Sequence, residues 1–203
     1  DELHNELGFE VKKDEELEIK EVRDTINKLR AKNLDDDAFI KKFSDIFKEN
    51  KMESISEGTF FSSILFISAL DETNKIEIFL EKFENAESPQ MQGRYRAVLG
   101  QVRDQNASKK IVEFMLDGRI RGADCPYILA SMITNKYIGK KSWKVIKENF
   151  NDLLSVMPDW TASRILDALP AIYDEEFAGD IKNFIKKNPL PSSEKLAAQK
   201  LER

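Results

Sequence analysis

At 203 residues, 41% of them hydrophobic and 34% charged, the chain can bury a real core, as one elongated domain or two small ones, while keeping much surface. Thirteen Phe with frequent Leu, Ile and Val exclude disorder, and eight Gly with six Pro are too few for a turn-rich sandwich or barrel. The net charge of −5 falls wholly on residues 1–53, which carry 16 acidic and 11 basic side chains; no basic stripe is left to neutralise phosphates, so nucleic acid is not expected as a partner.

Residues 1–13, with little helical pattern around Gly8, read as the tail of a linker from an upstream domain, and residues 14–203 as one helical domain. The first residue is Asp1 rather than Met, which fits a piece of a longer protein. The clusters Asp14-Glu15-Glu16 and Asp35-Asp36-Asp37 fall near predicted helix starts, where carboxylates favour the positive end of the helix dipole. Asp35, Asp71 and Asp174 are predicted N-caps. Phe39, Phe43, Ile46 and Phe47 fall at i, i+4, i+7 and i+8, one apolar face of a helix.

Phe60 to Leu70 has the aromatics and Ile of a buried strand, but with helices on both sides and no partner strand it is read as helix. Ser62, Ser63 and Ser68 interrupt it, and it is far shorter than a membrane span. Ser88 before Pro89 marks a capped helix start, and Asp124 with Pro126 marks another. Gly118 and Gly122 bracket a short connector, and Gly139 is expected to end the helix that carries Tyr137. Helical spacing continues over Trp143, Ile146, Phe150, Leu153 and Leu154, and again over Phe177, Ile181, Phe184 and Ile185. Asn188-Pro189-Leu190-Pro191 breaks the chain before a last helix. The expected fold is all-α, about eleven helices in an irregular stack of antiparallel pairs like a HEAT or armadillo superhelix, without a tight sequence repeat.

The chain is poor in catalytic groups. His4 is the only histidine, so a zinc site of the HExxH type cannot be built, and a Ser–His or Cys–His pair would depend on a terminal residue. No Walker-type loop and no GxGxxG occurs. Gly118-Arg119-Ile120-Arg121-Gly122 has the residues to grip an anion but lacks the strand-turn-helix setting, and the acidic clusters lack a loop that would converge them on a metal. No metal is expected in this chain. Cys125 stands alone, which rules out an intrachain disulfide; with no N-terminal signal pattern, it favours a reducing, cytoplasmic setting. At a helix start its thiol reads either as acidified or as an inert small residue.

Several stretches, in order, resemble the C-terminal helical domain of gluzincin aminopeptidases, the group with puromycin-sensitive, endoplasmic-reticulum and tricorn-associated enzymes. RIRGADCPY, from Arg119 to Tyr127, is similar to a loop in which Arg is followed by Gln-Asp and a helix; Arg121 and Asp124 match, and Ala123 replaces Gln. GKKSWKVIKENFNDL, residues 139–153, resembles a Gly-Arg, Ala-Trp and Asn-Trp pattern, with Lys140 for Arg, Trp143 retained and Phe150 for the second Trp. Ser163-Arg164-Ile165-Leu166 is similar to a Ser-Arg-Leu helix, and Phe184 to Arg203 resembles the family's closing helix, Pro break and Leu-Glu ending. Upstream, Leu7-Gly8-Phe9 resembles an opening Leu-Gly-Trp, and Leu29-Arg30 the helix after it.

The resemblance implies a non-catalytic domain whose partner is a catalytic domain in the same polypeptide, where the zinc would sit. It implies a curved helix stack that closes over that domain, bounds a chamber and meets peptide substrate on its concave face, with no membrane involved. Arg121, Asp124 and Arg164 are the candidate substrate-binding residues. Each also has a structural reading: Asp124 as a helix cap paired with Arg121, and Arg164, four residues after Trp160, as an ion-pair member. Trp143 and Phe150 read as core. The rival function is a stand-alone helical-repeat scaffold that binds a partner protein.

Overall fold

The computed structural model describes residues 6–10, 12, 14–34, 36–49 and 58–191. Among them, eleven α-helices and one 3-10 helix follow one another with no strand. They are α1 Leu17–Leu34, α2 Asp37–Lys48, α3 Gly58–Ala69, α4 Ile76–Glu84, α5 Pro89–Leu99 and α6 Ala107–Leu116, then α7 Cys125–Ile133, α8 Gly139–Glu148, α9 Phe150–Val156, α10 Asp159–Ala162, the 3-10 helix Ser163–Ala171 and α11 Glu175–Lys187. The helix predicted after Pro191, Asp35 and His4 all lie outside the described residues.

Alternate helices pack on one another, which builds two rows. In the odd row α1 touches α3, α3 touches α5, and α5 touches α7, which packs on the 3-10 helix. In the even row the Phe47 ring of α2 stacks on Phe79 of α4 at 5.0 Å, α4 meets α6, and α6 meets α8 through the buried Ser108 and Ser142 hydroxyls, 2.7 Å apart. This is the stack of helix pairs expected of repeat proteins, held by a core that runs between the rows.

The apolar faces read from the sequence are the buried ones. Phe39, Phe43 and Phe47 of α2 are within 5% of full burial, and the Phe60–Leu70 run is helical through Ala69, the end of α3, with Phe61, Ile64, Leu65 and Ile67 inside. Ser88 caps α5 by accepting from the Met91 N–H at 3.2 Å, and Asp174 caps α11 by accepting from Phe177 at 2.9 Å. For α2 the cap is Asp36, which accepts from Phe39.

Three local expectations need correction. Gly139 begins α8 rather than ending a helix, because a Cβ there would collide with the carbonyl of Ile133 at the end of α7; Tyr137 lies in the turn before it. The run from Trp143 to Leu154 is two helices, broken at Asn149, whose side chain returns to the Val145 carbonyl at 2.8 Å. Asp71 does not cap α4. It ends α3 and folds the turn by accepting from the Thr73 N–H at 2.9 Å, while the Ile76 N–H of α4 is taken by Asp104 of the next hairpin at 3.2 Å.

That exchange recurs. Asp104 accepts from the Asn106 N–H and Asn135 from the Tyr137 N–H, the same two-residue turn as Asp71 with Thr73, each in the tight corner after an odd helix. Asn135 also donates to the Gly100 and Val102 carbonyls one hairpin back. Polar bonds from corners and from helices both stitch the stack: Asp104 takes the Ile76 N–H, Arg96 reaches Asp124, and Ser63 of α3 donates to Asp24 of α1.

Asp71 carries a pH signature. Burial opposes its ionisation, but Ser44, Thr73 and Lys48 outweigh it, and the pKa drops to about 2. A depressed carboxylate stabilises the fold above its ordinary pKa and loses that contribution as pH falls toward 2. Denaturant titrations between pH 6 and 2 should therefore show Asp71→Asn losing about 1–2 kcal/mol less than the parent chain, allowing for solvent screening.

Candidate functional site

The connector between α6 and α7 is the best-built polar feature. Gly118, at φ +75, ends α6 in the left-handed region, and Gly122 passes so close to Val156 and Pro158 that a side chain would strike the Val156 carbonyl. This fit seats the Arg119–Asp124 loop on the segment after α9. Pro126 then sits in the first turn of α7, where its missing N–H costs nothing.

Asp124 occupies the N-cap position of α7, yet its side chain caps no backbone N–H. Its carboxylate instead receives Arg96 of α5 at 2.6 Å and Arg121 at 3.0 Å. Asp124 is 17% exposed and Arg96 34%, so this charge-assisted bond is shielded and ties two odd-row helices together. Arg121 is 76% exposed and adds little stability. The Arg121–Asp124 pair is legible in the sequence because the two are three residues apart, whereas no local signal links Arg96 to Asp124, 28 residues away, which meet only because α5 and α7 are neighbours.

The cluster borders a groove of about 370 Å³ lined by Arg96, Ala97, Asp124, Tyr127, Ile128 and Ser131. Arg96 and Ala97 also line a second groove, about 330 Å³, that reaches Phe66 of α3 and Lys28 of α1. Together they cross the odd row from α1 to α7. Their chemistry is mixed: half-exposed Tyr127 and the rings and aliphatics beneath it, with Lys28, Arg94 and Arg96 around them. Among the described residues, no carboxylate pairs with Arg94, whose guanidinium lies 5.0 Å from the Phe61 ring centroid.

Arg164 does not join this cluster. It lies on the 3-10 helix, half exposed, 3.6 Å from Asp167, and lines neither groove. The helix that would have aligned it with Trp160 ends at Ala162, and Trp160 stands 72% exposed. Nor is the Gly118–Gly122 loop an anion grip: Arg119 bonds Asp117 and Glu84 and lies over Phe114, and Arg121 is taken by Asp124. Cys125 is fully buried, and burial with the nearby Asp124 charge pushes its thiol up to about 12; of the two readings of this cysteine, the inert one holds.

A family model described as the ERAP1-like C-terminal domain matches residues 1–203. The chain belongs to this family. In this ERAP1-like C-terminal domain, the Arg-x-x-Asp of the α6–α7 connector is the Arg121–Asp124 pair, drawn toward α5 by Arg96. The retained Trp143 is 1% exposed, with its indole N–H on Asp180 at 2.8 Å, and Phe150 and Trp143 both meet the edge of Phe184. These residues carry packing. Among the described residues, no group of three His, Cys, Asp or Glu side chains is placed to hold a metal, and no helix is long and apolar enough to cross a membrane.

Proposed function

We propose that this chain is the non-catalytic helical wall of a zinc aminopeptidase, closing over a catalytic domain of the same polypeptide and controlling which peptides reach its zinc. The family match along residues 1–203 carries this reading. The odd-row groove supports it with the chemistry an extended peptide needs: Arg94 and Arg96 for carbonyl or carboxylate oxygens, Tyr127 and Ile128 for apolar side chains. Residues 1–13 would join the two domains, and a rigid stack swinging about that joint would open and close the chamber. The lone, buried Cys125 is in keeping with a cytoplasmic setting.

The test uses the chain with a separately produced catalytic domain. The chain by itself, supplied with zinc, is expected to leave aminoacyl reporter substrates intact. Added to the catalytic domain, it should create a dependence of turnover on peptide length, and Arg94→Ala with Arg96→Ala should raise KM for long peptides about tenfold while dipeptide reporters are unaffected. Zinc-dependent hydrolysis by the pure chain would refute the reading, and no effect on length dependence would favour the stand-alone scaffold.

A further inference from the structure

The two grooves of the odd row carry mainly one sign of charge. Lys28, Arg94 and Arg96 line them, and Asp124 is the one carboxylate among their lining residues, although the whole chain has a net charge of −5. A groove on the α4–α5 hairpin supplies the contrast. It encloses about 630 Å³ over the apolar side chains of Ile78, Met91 and Tyr95, but its charged residues are Glu81, Glu87 and Lys82. Apolar surface is common to both places, and the sign of the charge sets the odd row apart.

Arg94 concentrates that charge. Lys28 is matched by Asp24 at 2.7 Å, and Arg96 by Asp124 at 2.6 Å. Arg94 is positioned without a carboxylate among the described residues. Its guanidinium lies 5.0 Å from the Phe61 ring centroid, and its Nη1 is 3.7 Å from Met91 Sδ. Beside its Nη2 runs Gly58 at the start of α3, where a Cβ would come within 2.8 Å. A ring face and a thioether are weak partners, so the fork of N–H donors that grips a carboxylate is largely unspent. The same contacts restrain the side chain, which leaves less rotamer freedom to lose on binding. A half-buried, preorganised guanidinium of this kind favours a carboxylate over its neutral amide isostere, because the partly desolvated groove weakens the attraction less than bulk water does.

Neighbouring helices in a row lie about 8–10 Å apart, so the path from Lys28 on α1 to Tyr127 on α7 runs about 25–30 Å, the reach of about eight extended residues. That length suits a peptide segment rather than a small anion.

We infer that the odd-row groove selects peptides bearing acidic side chains along their length, with Arg94 setting the preference and Lys28 and Arg96 flanking it. This rests on the proposed function for the kind of ligand that reaches the groove, and it adds a charge preference exerted by side chains of this chain alone.

The test measures binding to the 203-residue chain by fluorescence anisotropy. The probes are paired twelve-residue peptides, acetylated and amidated so that terminal charges play no part, which differ only in Glu or Gln at interior positions. The Glu peptide should bind about tenfold more tightly at low salt, and the gap should shrink to about threefold or less in 0.5 M salt. Arg94→Gln should bring the two peptides within about twofold of each other. Lys109→Gln, which removes the same charge from exposed α6 surface, should leave the gap as it was. Equal binding of the two peptides to the parent chain overturns the inference, as does failure of either to bind at about 1 mM. A gap that survives Arg94→Gln in a variant that melts with the parent also overturns it, because the preference then arises elsewhere. The salt series needs no variant, so the charge preference is testable even if Arg94→Gln misfolds. An Arg94-dependent preference for Glu, found while the chain confers no peptide-length dependence on the catalytic domain, sustains the groove and refutes the functional reading, so the two fail separately.

Discussion

Trp143→Ala is expected to lower the unfolding free energy by about 3–5 kcal/mol, among the largest effects of any single truncation in the chain. The indole is 1% exposed in α8, filling the space where α8, α9 and α11 converge, with Phe184 edge-on to it at 5.3 Å. Alanine leaves a cavity between helices of 10 and 13 residues that cannot collapse without shifting the end of the stack. The indole N–H also anchors Asp180, whose carboxyl is held below the usual range chiefly by Lys147, with Trp143 assisting. For a domain of this size, the melting temperature should fall by about 6–20 °C. Trp143→Phe separates the contributions: it keeps much of the ring but removes the donor, and should cost about 1–3 kcal/mol. Chemical denaturation with an unchanged m-value checks both, and a loss under about 1 kcal/mol for the alanine variant would show that this corner repacks freely.

Gly122→Ala should cost about 3 kcal/mol, although it adds a single methyl group. The added carbon would lie inside contact distance of the Val156 carbonyl oxygen and close to the Pro158 ring at 3.4 Å. The obstacle is backbone, not a flexible side-chain end, so the Arg119–Asp124 loop must lift away, taking Arg121 and Asp124 with it. Hydrogen exchange should rise at residues 119–124 and 156–158 together. Gly179→Ala is the counterpart: it lies inside α11 with nothing within 4 Å of the added carbon, and the better helix former should raise stability by about 0.5–1 kcal/mol. Opposite signs from the same chemical change would establish that close approach, not glycine's flexibility, sets the requirement at Gly122.

What could be read along the chain was whatever depends on neighbours within one helix. The three- and four-residue spacing of Phe39, Phe43 and Phe47 reports burial because one face of one helix meets the core, and Ser88 and Asp174 report caps because a cap reaches only two or three residues ahead. The same locality misled at Asp71 and Asp124: both have a cap's residue type, but the N-cap position of α4 is held by Lys75, and Asp124 holds that of α7 without capping an N–H through its side chain. Their carboxylates find better partners across the turn or on another helix: Thr73 and Ser44 for Asp71, Arg96 for Asp124. Gly139 likewise looked like a stop because glycine often ends helices, whereas here it starts one against the Ile133 carbonyl.

Periodicity and residue inventory are properties of the chain alone, and they suffice to make this protein a succession of amphipathic helices with one histidine and no catalytic motif. How the hairpins join emerges only in the folded stack. The corner residues Asp71, Asp104 and Asn135 share a role without sharing flanking sequence, because what is repeated is a hydrogen-bonded turn and not a string of side chains. Stacking also brought Arg96 to Asp124 and left Ile19, Val22 and Leu29 of α1 exposed, for contacts between helices some thirty residues apart depend on which faces the rows turn toward each other, and no local spacing encodes that.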